Sequence, residues 1–269
     1  MRSLNGSDLA GFIKERQAQQ VRGLIQAHHV VPKLAIVQTV HTPIIDTYVN
    51  LKQKYGADIR VEVEPHVVEQ KDALKVIKQL NADPSVHGII IQLPVAEPSQ
   101  TEELVNVVDP AKDVDGLGKK PDFDPATPTA VNWLLAGYNV ELRGKKIVIV
   151  GRGRLVGEPL ARLFRESGLN VEVADKRTED LRALTRTADV LITATGHPGL
   201  IKSDMIQPDV VVVDAGVATD AGKLVGDLAE DVRDRTDLTI TPPKGGVGPL
   251  TVCALFENVI QAARRTVSK

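Results

Sequence analysis

KKIVIVGRGRLVGEP, residues 145–159, carries a run of β-branched residues straight into a glycine-rich turn and then into a helix that the pattern starts near Pro159. Such a turn lets backbone N–H groups and the positive end of the helix approach a pyrophosphate, with Gly151, Gly153 and Gly157 removing side chains that would block it. The spacing is G-x-G-x-x-x-G rather than G-x-G-x-x-G, and a tight strand-to-helix turn also needs glycine for steric reasons alone. A second signal comes from the next strand, which ends at Asp175, twenty-four residues after Gly151. A Rossmann fold places the acid that bonds the adenosine ribose near that distance. Asp175 by itself favours NAD, whereas Arg152, Arg154, Lys176 and Arg177 supply the cations that the 2′-phosphate of NADP requires. Those cations also fit a solvated surface cluster, so NADP and NAD both stay open at this point.

Outward from this turn, strand-like runs recur: LAIVQTV from Leu34, IRVEVE from Ile59, GIIIQL from Gly88, VEVA from Val171, VLITAT from Val190 and VVVVDA from Val210. Helical stretches separate them, which predicts an α/β fold with mainly parallel sheets, because parallel neighbours need crossover connections. The chain has 269 residues, 42% of them apolar, enough for two modest domains with real cores. Lys plus Arg (33) nearly balances Asp plus Glu (35), leaving no field that makes nucleic acid or a membrane surface the expected partner. Cys253 stands alone, which excludes an intramolecular disulfide. No window approaches the roughly 18 apolar residues of a membrane helix, and the opening MRSLNGSDLAG lacks a continuous apolar signal core, so a cytoplasmic protein is expected.

In the first half, HTPIIDTYVNLKQKYGAD predicts a helix capped by Thr42, started by Pro43 and stopped by Gly56. Tyr48 and Lys52 lie four apart on it and leave one face, although such a pair is often only a packed ring and a snorkelling charge. A second helix, roughly Val68 to Leu80, turns Ala73, Val76, Ile77 and Leu80 to one side. Gln92, Leu93 and Pro94 end the GIIIQL strand at the carboxyl edge, where open α/β sheets bind ligands. From Glu97 to Pro128 the chain reads as a long connection in which Asp113 and Asp115 offer either carboxylates to a ligand or ordinary turn-forming side chains. Late in the chain, Gly245, Gly246 and Gly248 in TPPKGGVGP allow close backbone approach to a flat ligand or to neighbouring chain.

Taken in order, LNGSDLA, TYVNLK, VHGIIIQLP, DPAKDVDGL, PATPTA, LRGKKIVIVGRGRLVGEP, ATGHPGLI, VVVDAG, LVGDL and TPPKGGVGPLT resemble the bifunctional methylenetetrahydrofolate dehydrogenase/methenyltetrahydrofolate cyclohydrolase family along almost the whole chain. The resemblance implies an N-terminal α/β catalytic domain over 1–127, a C-terminal NAD(P)-binding Rossmann domain over 128–248, and a C-terminal helix over 249–269 that packs back on the first domain. It makes Lys52 the catalytic lysine, Tyr48 the ring beside the pterin, Gln92 the amide that tunes the lysine and Asp115 the pterin anchor. Leu93, Pro94, Gly245, Gly246 and Pro249 join them on the folate side. Gly151, Arg152, Gly153, Arg154, Val156, Gly157, Asp175, Lys176, Arg177, Thr195 and Gly196 fall to the cofactor, NADP with NAD as the alternative. No metal is implied. Tetrahydrofolate one-carbon derivatives are the implied partners, and a homodimer the implied assembly.

Departures from the family pattern cluster. Ile45 stands where a serine is usual, Gly153 replaces a serine in the cofactor turn, and Asp175 and Lys176 replace a His-Ser or His-Arg pair. Pro243 and Lys244 precede Gly245, Ala126 replaces a frequent cysteine, and Ala218 an asparagine. Three other readings stand beside the bifunctional enzyme: a single-activity dehydrogenase or cyclohydrolase, a non-catalytic Rossmann-type binding protein, and a shikimate-dehydrogenase-like enzyme.

Overall fold

The computed structural model describes residues 2–220 and 223–267. In chain order it contains β1 (Arg2–Ser3), α1 (Gly6–His28), β2 (Lys33–Gln38), α2 (Pro43–Ile59), β3 (Glu62–Val67), α3 (Gln70–Ala82), β4 (Gly88–Ile91), α4 (Thr101–Val107), α5 (Ala126–Gly137) and β5 (Lys146–Val150). There follow α6 (Gly157–Glu166), β6 (Asn170–Ala174), α7 (Leu181–Thr185), β7 (Val190–Thr193), β8 (Val211–Asp214), β9 (Ala218–Asp220), β10 (Lys223–Val225), α8 (Glu230–Arg233), β11 (Thr239–Ile240) and α9 (Val247–Val267). Two compact units result, one from Met1–Ala10 with Thr127–Thr251, the other from Gly11–Ala126 with Val252–Lys269.

The first unit is built on a parallel sheet of order β1-β11-β8-β7-β5-β6. Its central strands read as unbroken apolar runs because helices must cover both faces, and Val148, Ile149, Leu191, Ile192, Val212 and Val213 are fully buried. Each such side chain contributes about 1.5–3 kcal/mol relative to exposure. The chain leaves β5 toward β6 on one side, with β7 on the other, so the glycine-rich turn sits where strand order reverses. The start of the chain, given to the 1–127 domain in the sequence reading, adds an edge strand to this sheet. Arg2 and Ser3 pair with Thr239 and Ile240, a two-residue strand too short to announce itself as a pattern.

The second unit holds the parallel sheet β3-β2-β4. Leu34–Val37 of the central strand are fully buried, and Ala73, Ile77 and Leu80 of α3 pack on that sheet with Val76 at the rim. Thr42 caps α2 by accepting the Ile45 N–H through its side chain. Gly56 does not stop this helix. It lies buried within it because a Cβ there would fall 2.5 Å from Val63 Cγ2 and 2.8 Å from the Val61 carbonyl, and Arg60 ends the helix instead with φ 64°. The residues from Val252 onward belong to this unit: Gln17 Nε2 donates to the Cys253 carbonyl (2.8 Å), and Tyr55 Oη donates to Gln17 Oε1 (2.7 Å).

The connection after β4 is less irregular than its composition predicts. It contains α4, whose buried Leu104 and Val105, with the partly buried Val107, join the cluster around Ile77 and Ile89; three apolar residues bunched at the end of a seven-residue segment were too few to show a period. Beyond α4, the Lys112 ammonium donates to the carbonyls of Leu80 (3.0 Å), Asn81 (2.9 Å) and Asp83 (2.6 Å), satisfying the open C-terminal end of α3 with a positive charge. Lys112→Met keeps the aliphatic stem and removes all three donors. Its unfolding free energy in urea should fall by about 1–2 kcal/mol, allowing for partial solvent exposure of the group; an unchanged midpoint would show the clamp to be ornamental.

Candidate active site

Lys52, Gln92 and Asp115 come together in the β3-β2-β4 unit, and Tyr48 lies one helical turn from Lys52. Helix α2 presents Tyr48 and Lys52 one turn apart, both half-buried, and the end of β4 presents Gln92. Backbone pairing of Gln92 N–H with the Val37 carbonyl (2.9 Å) holds the strand end in register with β2. The Lys52 ammonium donates to Gln92 Oε1 at 2.9 Å, while Gln92 Nε2 donates to the Leu93 carbonyl at 3.1 Å. The second bond fixes the amide so that its oxygen, not its nitrogen, faces the ammonium. Leu93 is half-buried and Pro94 exposed, joined by a cis peptide bond.

Electrostatics at this cluster pull against one another. Burial lowers the Lys52 pKa, and the charge of Asp115 raises it in part. Burial pushes Asp115 up to about 6, with Lys52 opposing that shift and Asp113 adding to it. Tyr48 is raised by burial. The result is a lysine and a carboxyl whose proton affinities have moved toward neutrality from opposite sides, an arrangement suited to proton transfer.

Asp115 is placed by the loop before and after it. The Lys112 carbonyl accepts the Ile89 N–H (2.8 Å), tying the loop to β4, and Asn258 Nδ2 donates to the Val114 (2.9 Å) and Asp124 (3.0 Å) carbonyls. Asp113 turns inward: its carboxylate accepts the N–H groups of Gly116 (3.1 Å), Leu117 (3.4 Å) and Gly118 (2.7 Å). Of the two aspartates, Asp113 thus folds the loop and Asp115 is left to the cluster. The residues alone left the two open, the family resemblance singled out Asp115, and neither gave a signal for Asn258, which lies far along the chain.

The segment TVHTPIID, in which Ile45 departs from the family pattern, closes on itself. His41 Nδ1 lies 2.8 Å from Asp46 Oδ1, and Gln38 Nε2 donates to Asp46 Oδ1 (3.1 Å) and to the Val40 carbonyl (2.8 Å). Ile45, at the usual serine position, is buried and packs as core.

The predicted nucleotide residues lie in the other unit. Gly151 has φ 111°, and a Cβ on it would lie 2.4 Å from the Ala194 carbonyl oxygen; a Cβ on Gly157 would meet the Gly151 carbonyl at 1.9 Å. These two glycines are required by the turn itself. Gly153 differs, for nothing lies within 4 Å of its would-be Cβ, and the open space at the mouth of the turn before α6 suits a phosphate approaching backbone. Arg152 Nε lies 3.7 Å from Asp175 Oδ2 and 3.6 Å from Glu158 Oε2, and Asp175 Oδ1 accepts the Arg177 N–H (2.8 Å). Lys176 and Arg177 are exposed; Arg154 and Val156 are half-buried in the turn. Thr195 and Gly196 follow β7, the Thr195 N–H bonded to Asp227 Oδ2 at 2.7 Å. Gly245 and Gly246 have a packing account: Gly245 O accepts the Ser7 N–H (3.0 Å), and the Gly246 carbonyl fills the space a Gly6 Cβ would need. Pro249 lies in the first turn of α9.

Among the described residues no helix is long and apolar enough to cross a membrane, and no group of three or more His, Cys, Asp or Glu is arranged to hold a metal ion. Residues 4–115 match the catalytic-domain model, and residues 125–267 the NAD(P)-binding-domain model, of tetrahydrofolate dehydrogenase/cyclohydrolase. The chain is 38% identical over 281 residues to the bifunctional protein FolD of Bordetella avium, with 99% of each chain covered. It superposes on the bifunctional FolD dehydrogenase/cyclohydrolase of Campylobacter jejuni with a TM-score of 0.93 at 33% identity, covering 99% of each. Against the Trypanosoma brucei enzyme solved with NADP and an inhibitor the TM-score is 0.90 at 29% identity, covering 99% of this chain and 98% of that one. Matched in both of its domain types, and over nearly its full length at this identity, the chain belongs to the tetrahydrofolate dehydrogenase/cyclohydrolase family.

Proposed function

We propose that this protein oxidises 5,10-methylenetetrahydrofolate to the 5,10-methenyl cation with NADP and then hydrolyses that cation to 10-formyltetrahydrofolate. The observation that carries the reading is the Lys52–Gln92 bond beside Asp115, a polar set that upkeep of a scaffold does not call for. Family membership supports it over a shikimate-type enzyme and over a bare binding module. A cytoplasmic homodimer is part of this proposal, on the family resemblance read in the sequence.

For the oxidation, the residues suited to hold the dinucleotide are Gly151, Arg152, Gly153, Arg154, Val156 and Gly157 at the phosphates, Asp175, Lys176 and Arg177 at the adenosine, and Thr195 and Gly196 beyond β7. A dinucleotide held there would supply the acceptor for the hydride leaving the bridging methylene carbon. The chain's own task in that step is orientation and exclusion of water, worth several kcal/mol of barrier in general. Asp115 accepts hydrogen bonds from the amino-pyrimidine edge of the pterin, and Tyr48 packs beside the ring. In the hydrolysis, water attacks the methenyl carbon, Lys52 takes one of its protons, and the carbon–N5 bond breaks as N5 receives a proton. The carbinol O–H gives up the other as the formyl group forms, so one proton is released overall. Gln92 holds the Lys52 amine at the attacking side. Burial, joined by the cationic substrate, favours the neutral amine that this step uses.

Lys52→Met should slow the decay of methenyl absorbance at least about 100-fold, with the folate Michaelis constant changed by less than about threefold. Retained hydrolysis would remove Lys52 from the step. Because Asp115 is protonated below about 6 in the free protein, the folate Michaelis constant should rise as pH falls through about 6, and Asp115→Asn should flatten that dependence. A wild-type constant that is level from pH 5 to pH 7 would contradict the anchoring role. Arg152, Arg154, Lys176 and Arg177 support NADP over NAD by about tenfold or more in kcat/KM despite Asp175. Reduced-nicotinamide and methenyl absorbance recorded together with each nucleotide test this; equal kcat/KM values would overturn the preference, and reduction without hydrolysis would leave a dehydrogenase alone.

A further inference from the structure

Two short motifs, Asp214-Ala215-Gly216 and Gly226-Asp227-Leu228, have no part in the mechanism above, yet they lock into each other. The hairpin β9–β10 carries the chain from one to the other, with Ala218 opposite Val225. A Cβ on Gly216 would lie 2.2 Å from Asp227 Cγ, and a Cβ on Gly226 would lie 2.1 Å from Asp214 Oδ2. Each glycine is therefore the space in which the other motif's carboxylate sits. Asp214 is almost entirely buried and accepts bonds from Thr193 Oγ1 (3.1 Å), Gly216 N (3.2 Å), Asp227 N (3.0 Å), Leu228 N (3.3 Å) and Arg233 Nη2 (2.9 Å).

Asp227 faces the other way. Its fully buried carboxylate accepts Thr195 N–H at Oδ2 (2.7 Å) and His197 N–H at Oδ1 (3.0 Å), spanning the turn that follows β7. His197 N also lies 3.1 Å from Thr195 Oγ1, and Gly196 has φ 68°, so the turn is tightly specified. It lies directly against the nucleotide turn, since a Cβ on Gly151 would meet both the Ala194 carbonyl and Thr195 Cγ2. A carboxylate buried beside a second carboxylate is costly, and Arg233 compensates for one of the two charges. A fold has no need of that cost merely to close a turn, which water or a serine could satisfy.

With the adenosine on the β6 side near Asp175 and the pyrophosphate over the end of β5, a dinucleotide crossing the switch point brings its other half over the end of β7. We propose that Asp227 is a positioning residue for the oxidation, its carboxylate holding the Thr195–His197 turn in the one conformation that receives the nicotinamide end of the dinucleotide. This rests on the dehydrogenase reading above. Asp227 touches neither substrate nor nicotinamide and acts through the backbone of the turn.

The test compares wild type with Asp227→Asn and Gly216→Ala in oxidation and in methenyl hydrolysis, and follows amide exchange in the wild-type protein. Asp227→Asn sets an amide N–H₂ against one of the two backbone N–H groups, so the Michaelis constant for NADP should rise about tenfold. The oxidation kcat should change by less than about twofold. Gly216→Ala, which puts a methyl group where the carboxylate sits, should move the same constant in the same direction. Hydrolysis, which uses no dinucleotide, should proceed at the wild-type rate in both. An unchanged nucleotide constant in a folded variant, or equal losses in oxidation and hydrolysis, would overturn the proposal. In wild type without nucleotide, the Thr195 and His197 amides should already be protected; exchange at the rate of an open loop would overturn it even if neither variant folds. A wild-type protein that binds no nucleotide while those amides are protected would sink the dehydrogenase reading and leave the carboxylate clasp standing.

Discussion

An ammonium group taken partly out of water must either be compensated or give up its proton, and both influences act on Lys52. Burial works against the charge, while Gln92 Oε1 and the nearby Asp115 work for it. Burial is the stronger of the two, and the Lys52 pKa is lowered. A full ion pair at contact distance would have fixed Lys52 as a permanent cation, and an apolar pocket would have left it a permanent amine. One amide oxygen at 2.9 Å, with a carboxyl that is itself pushed up to about 6, opposes burial only in part, and the Lys52 pKa is lowered as a result.

Those opposing influences depend on where the groups sit, and the chain fixes the loops around them with charged and amide side chains that bond backbone. Lys112 gathers three carbonyls at the end of α3, Asp113 gathers three N–H groups in the next turn, and Asn258 ties the Val114 and Asp124 carbonyls. The same device recurs in the nucleotide-binding unit, where Asp214 and Asp227 gather the N–H groups of two loops. In each case a long irregular stretch, which has no ladder of its own, is given a substitute for one. Loops held this way can carry precise chemistry without being elements of regular structure.

Glycine plays three separable parts. Gly56, Gly216 and Gly226 yield space to a neighbouring side chain, Gly151 and Gly157 let the backbone of the nucleotide turn close on itself, and Gly153 faces open space. A string of glycines in the sequence shows none of this division. The reading that Gly56 stops α2 failed for that reason: a glycine near a helix end is a cap signal only when nothing else needs the room, and Val63 and Val61 need it.

Local pattern alone determined the α/β class, the strands that carry apolar runs, the Thr42–Pro43 start of α2 and the turn after β5, because each is set by residues adjacent in the chain. The same-face placement of Tyr48 and Lys52 follows from helical period, and the order of motifs along the chain was enough to bring the folate enzyme family to view. Only the tertiary structure decided that Asp113 turns inward to fold its own loop, that Arg2 and Ser3 pair with β11, that α4 interrupts the long connection, and that Asp227 bonds the turn after β7. Each of these turns on a partner tens of residues or more away, and a carboxylate's surroundings, which set both its proton affinity and its task, are not written in its neighbours along the chain.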